Sequence, residues 1–194
     1  RGYKNVEAVC QALGELARQH PQLPARWPLL FLGGGNWGDV WTLEPELERH
    51  LGAWEIRRLS VDDEEMPAAY AGAALTIYPS SIEGFGLPPG ESLLCGTPVL
   101  TWRSPINDEV YGDLVQTLDP QAPLGIARQL QACLARLPEL RQAVGRAPAE
   151  LKASAAARGG STQSGTFLEC LLLHAQRPLD WSDPTLEPLL FDAH

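Results

Sequence analysis

Two glutamates, Glu83 and Glu91, stand with seven residues between them in the stretch EGFGLPPGE, among them Gly84, Gly86, Pro88, Pro89 and Gly90. Glycines turn backbone N–H groups toward a ligand at little steric cost. Prolines suit the first turn of a helix, where an N–H has no intrahelical partner anyway. The positive end of such a helix, with its exposed N–H groups, seats a phosphate by about 0.3–1 kcal/mol at a surface and by more when sheltered. A carboxylate beside a diphosphate would repel it, so the two glutamates must face hydroxyl groups instead, one on a sugar and one on a ribose. Residues of these types at this spacing describe a seat for a sugar activated on a nucleoside diphosphate.

The flanking residues supply the elements that would hold this seat. An apolar run at 74–78 reads as a buried strand that Pro79 stops. A short helix is expected at 91–95, ended by Gly96, and a second strand at 97–101. Strand, glycine loop, helix and strand form a βαβ unit, with the loop at the carboxyl end of the first strand, where open α/β sheets bind ligands.

This stretch resembles the C-terminal, donor-binding domain of the retaining family 4 glycosyltransferases of GT-B fold. The likeness rests on Glu83 and Glu91 with GFGLP and CGTPV, on MPAAYAGAALTIYPSSIEGFG upstream and SPINDEVYGDL downstream, and on Lys4-Asn5, and it covers roughly residues 1–145. It implies an α/β fold, a Rossmann-like parallel sheet with helices on both faces that forms one half of a GT-B enzyme. It also implies that the first strand of the sheet lies upstream of residue 1. Two positions depart from the pattern: Gly90 stands where a bulky aliphatic residue is usual, and Ser92 where Ala is usual.

By this resemblance Glu83, Lys4 and Arg1 are the catalytic candidates. Lys4 and Arg1 would neutralise the leaving diphosphate, because fixed cations stabilise charge that builds as the sugar departs, and Glu83 would position the sugar. Glu91 would hold the ribose hydroxyls, and the backbone N–H groups of Phe85, Gly86 and Leu87 would meet the sugar and phosphates. Gly33 and Gly34 would belong to a donor-side loop, and Asn107 and Glu109 to a segment near the sugar. No metal and no cofactor are expected, the nucleotide sugar being a substrate.

Along the rest of the chain, a helical period runs from 5 to 20, with Asn5 as its expected N-cap and Pro21 as its stop. A strand is expected at 28–32, a helix at 42–50 capped by Thr42, a strand at 54–59 and a helix at 62–70. A strand at 114–118 and helices at 122–137 and 138–155 follow. Residues 33–38 match GxGxxG after a strand, but Trp41 and Pro45 stand where a long helix should start. A donor-side loop, a plain turn and a dinucleotide site all remain open there. Residues 156–165 are a compositional break, followed by a short helix at 166–175 and a Pro-rich extended tail whose Trp181, Leu190 and Phe191 would cover a surface. The expected division is a nucleotide-sugar-binding domain at 1–155, then linker, helix and tail at 156–194.

Composition limits the partners. The 194 residues carry 44% apolar side chains and a net charge of −9, so there is a core to bury and no basic footprint for nucleic acid. No apolar run approaches the roughly 20 residues of a membrane span. The four cysteines show no metal-ligand spacing and read as small buried side chains. A cytoplasmic setting is expected, membrane-peripheral only through an N-terminal acceptor-binding domain that these residues do not contain. Two other readings compete with a transferase: a non-catalytic interaction module of the same fold, and an NAD-binding domain using 33–38.

Overall fold

The computed structural model describes residues 5–33, 45–60, 65–82, 86–119, 122–158 and 189–192. In chain order these form helix α1 (Val6–Gln19), a single turn α2 (Leu23–Arg26), strand β1 (Leu29–Gly33), α3 (Pro45–His50), β2 (Ile56–Ser60), α4 (Met66–Gly72) and β3 (Leu75–Tyr78). Helix α5 (Leu87–Leu94), β4 (Val99–Trp102), α6 (Pro105–Val110), a 3₁₀ turn (Gly112–Leu114), β5 (Gln116–Leu118), α7 (Pro123–Ala135), α8 (Leu137–Val144), α9 (Ala147–Arg158) and β6 (Leu189–Asp192) follow. The strands make one sheet in the order β2-β1-β6-β3-β4-β5, and every pairing in it is parallel.

Both faces of the sheet are covered, as alternation along the strands requires. Leu29 and Phe31 of β1, Leu75 and Ile77 of β3, and Leu100 and Trp102 of β4 join a core with Val9, Leu13 and Leu16 of α1 and Ile126 and Leu130 of α7. On the opposite face Leu30 packs with Ala69 and Tyr70 of α4. Val99 packs with Leu93 of α5, Val144 of α8 and Leu151 of α9. The doubly covered parallel sheet expected from the sequence is therefore present.

Three elements differ from expectation. The central slot of the sheet is held by β6, which runs in register with β1 from Leu29↔Leu189 to Leu32↔Asp192 and with β3 from Leu75↔Leu189 to Ile77↔Phe191. The sequence reading sent Leu190 and Phe191 over the domain's own surface or onto a missing partner; in the structure both lie in the central strand. Helix α5 begins at Leu87 rather than at residue 91, so Pro88 and Pro89 occupy its first turn. The single helix expected at 138–155 is two, α8 and α9, broken at Gly145 and Arg146. The helix and linker expected at 156–175 lie outside the described residues beyond Arg158, as do Trp181 and Thr42.

Candidate functional site

A parallel sheet puts all strand carboxyl ends on one edge, so Gly33 at the end of β1, Tyr78 at the end of β3 and Trp102 at the end of β4 open toward the same side. The glycine turn between β3 and α5 lies on that edge. Gly86 is the N-cap of α5, with φ 62° and ψ 69°, a left-handed conformation that suits a residue without a Cβ. Ile82 and Leu87 are 69% and 47% exposed.

The donors at this helix end are few. Pro88 and Pro89 have no N–H. The Gly90 N–H faces the phenol oxygen of Tyr111. Gly86 and Leu87 carry the remaining N–H groups at the head of the helix; with Phe85, which lies outside the described residues, they are the three that sequence reasoning named. Tyr111 is buried, and its hydroxyl donates to the Gly86 carbonyl at 2.6 Å. Burial pushes its phenol well above the ordinary tyrosine range; the Gly90 N–H acts against that shift and the Glu91 charge adds to it. The tyrosine remains protonated and keeps donating at physiological pH.

Glu91 sits half-buried in the second turn of α5. Its Oε2 accepts a hydrogen bond from the Tyr70 hydroxyl at 3.2 Å, and Tyr70 is 1% exposed. The neighbouring Ser92, an unusual serine in the sequence pattern, is buried with its Oγ 2.8 Å from Thr76 Oγ1 of β3 and 3.2 Å from the Thr97 carbonyl oxygen. Thr97 in turn donates from Oγ1 to the Tyr70 carbonyl at 2.6 Å. Buried polar atoms need such partners, and here they lock α5 to β3 and α4 on both sides of Glu91. Burial and the Glu91 charge push the Cys95 thiol up to about 11.

Asn5 stands at the N-cap of α1, as expected. Its φ of 49° is a left-handed conformation that Asn tolerates better than other residues with a side chain, and its side chain makes no cap bond. Its Nδ2 instead donates to the Pro79 carbonyl at 2.8 Å. This ties the start of α1 to the carboxyl end of β3. The covalent neighbour of Asn5 is Lys4.

Asn107 was expected to order the loop of its segment. It is 2% exposed, and its Nδ2 donates to Thr101 Oγ1 at 2.8 Å and to the Trp102 carbonyl at 2.9 Å. Ser104 caps α6 by accepting from the Asn107 N–H. Asn107 thus holds the loop after β4 from within. Glu109 is exposed on α6. Gly33 pairs with Ser60 at the end of β1. Arg1, Lys4, Gly34, Glu83 and Phe85 lie outside the described residues. The structure therefore brings Gly86, Leu87 and Glu91 together on one edge of the sheet, with Asn5 anchored to that edge at Pro79. Sequence reasoning missed Tyr70 and Tyr111; the signal at Tyr70 was a tyrosine in an otherwise apolar helix, whose hydroxyl needs a partner once buried.

Residues 1–148 match the family model described as Glycosyl transferases group 1. The chain belongs to this family. It is 38% identical over 120 residues to the O-antigen chain mannosyltransferase B of Escherichia coli, covering 60% of this chain and 30% of that protein. It is 32% identical over 126 residues to the D-inositol 3-phosphate glycosyltransferase of Nocardiopsis dassonvillei, covering 60% and 29%. The chain thus spans about 30% of the length of these relatives. Among solved structures it is similar to an alpha,alpha-trehalose 6-phosphate synthase of Burkholderia multivorans, with a TM-score of 0.63 at 15% identity over 91% of this chain and 40% of that one. At that identity the likeness concerns the fold, one Rossmann-like half of a GT-B enzyme. No helix among the described residues is long and apolar enough to cross a membrane.

Proposed function

We propose that this glycosyltransferase-family chain is the donor-binding half of a retaining enzyme that moves a sugar from a nucleoside-diphosphate sugar to an acceptor such as a glycan or a lipid-linked saccharide. The observation that carries the reading is the left-handed Gly86 turn at the N-terminus of α5 with Glu91 held one turn further on. In this reading the Gly86 and Leu87 N–H groups meet the phosphates and the transferred sugar, joined by the N–H of Phe85. Glu91 takes the ribose hydroxyls and Glu83 positions the sugar. Lys4 and Arg1 stabilise the diphosphate as the glycosidic bond breaks, and the acceptor attacks from the leaving-group side, which gives retention. The donor is the substrate, and the diphosphate charge is met by side chains and backbone, so no cofactor is required.

The acceptor belongs to a second domain, and transfer requires both reactants held together. The enzyme is cytoplasmic in this reading, and any hold on a membrane comes through that domain. Calorimetry of the full-length protein with UDP and GDP tests the reading. Binding of one of them, with loss of glycan output in Glu83→Ala, supports it. A folded protein that binds neither, or unchanged glycan output in Glu83→Ala, contradicts it.

A further inference from the structure

Glu91 is not held by its helix alone. The Tyr70 hydroxyl reaches across from α4 to Glu91 Oε2 at 3.2 Å, and the Tyr70 ring is buried beside Leu30 and Ala73. Its backbone is fixed as well, because the Tyr70 carbonyl accepts from Thr97 Oγ1 at 2.6 Å. A hydroxyl on an immobile ring is a directional donor. It fixes the direction from which Oε2 of the Glu91 carboxylate is held.

We infer that Tyr70 is a specificity-determining positioning residue: by orienting the Glu91 carboxylate it sets how strongly the site prefers a ribose to a deoxyribose nucleotide. This rests on the reading of Glu91 as the ribose ligand. A carboxylate that accepts from a hydroxyl discriminates only if its oxygens point at that hydroxyl when the ligand arrives; a carboxylate that must first be ordered loses part of that discrimination. Tyr70 touches no substrate in this scheme. It acts through Glu91, and its removal should leave phosphate and base contacts as they were.

The test is calorimetric titration of the full-length protein with UDP and GDP and with their 2′-deoxy counterparts, for the native sequence, Tyr70→Phe and Glu91→Gln. The native protein should prefer the ribose form by about tenfold or more, as expected for a hydrogen bond to a charged group. Tyr70→Phe should shrink that preference by roughly threefold to tenfold, weakening the deoxy form, which keeps only its 3′ hydroxyl for Glu91, by less than the ribose form. A merely structural role would weaken both forms together, so equal weakening overturns the inference. Loss of the preference in Glu91→Gln with full preference kept in Tyr70→Phe also overturns it, while leaving Glu91 as the ribose ligand. A preference that survives Glu91→Gln, or no nucleotide binding by the native protein, overturns the reading of Glu91 itself and the inference with it. Phenylalanine keeps the buried ring, and a thermal melt confirms that the variant is folded.

Discussion

Replacing Tyr111 by Phe removes one oxygen atom at the point where the glycine turn becomes a helix. That hydroxyl donates to the Gly86 carbonyl at 2.6 Å, in a residue that is 2% exposed. Leaving a buried polar group unsatisfied costs about 1–3 kcal/mol. The group stranded here is the Gly86 carbonyl, which at the N-cap can still accept from the N–H four residues on and recover part of the loss. The net destabilisation should then be about 1.5 kcal/mol, near the value of one good hydrogen bond. In a chain of this size that lowers the melting temperature by about 3–6 °C. Urea unfolding followed by circular dichroism measures it, and the slope with denaturant should stay constant, since almost no surface changes. Nucleotide affinity should fall too, because Gly86 loses the contact that holds its left-handed conformation. A loss under about 0.3 kcal/mol, with affinity intact, would refute the claim that Tyr111 holds the turn.

Asn107→Ala removes both amide bonds to Thr101 and Trp102 and should cost about 2 kcal/mol in the same unfolding assay; a neutral outcome would mean that the loop after β4 is held by other contacts. Deleting residues 189–192 takes out the strand that joins β1 to β3, so the cooperative transition should broaden or vanish; an unchanged transition would show that another strand takes the slot. Burial pushes the thiols of Cys10 and Cys133 up to about 12, from 9.0. The folded state thus favours the protonated thiol, and this contribution is intact below about pH 9 and is lost as pH rises from there toward 12. Native protein at pH 8 should accordingly react slowly with a thiol reagent at both positions, and rapid labelling would contradict their burial.

The βαβ unit around the glycine turn was legible because its signals are local: an apolar run, a stop at Pro79, glycines, then a helix. The start of α5 was misplaced by four residues for an identifiable reason. Proline is excluded only where its N–H would be needed, and the second and third positions of a helix need none, so PPG belongs inside the first turn. The α8–α9 break was also local, since Pro148 can stand near a helix start but not within one, and the reading overlooked it. Other features had no local signal. Asn5 bonds to a carbonyl 74 positions away, Tyr111 to one 25 away and Tyr70 to a carboxylate 21 away. Such pairings depend on which strands lie side by side, and the central place of β6 was itself invisible to a reading that follows the chain in order. At the site, residue types announced Gly86, Leu87 and Glu91, whereas the residues that hold them announced only that buried hydroxyls must find partners.

The central claim is that the N–H groups at the head of α5 are the seat of a nucleoside diphosphate. Amide resonances of isotopically labelled protein, titrated with UDP and with GDP, test it at the atoms concerned. The account predicts large, saturable shifts at Gly86 and Leu87, smaller ones at Glu91, and little change in α7 on the opposite face of the sheet. Saturable binding that leaves Gly86 and Leu87 unmoved would contradict it.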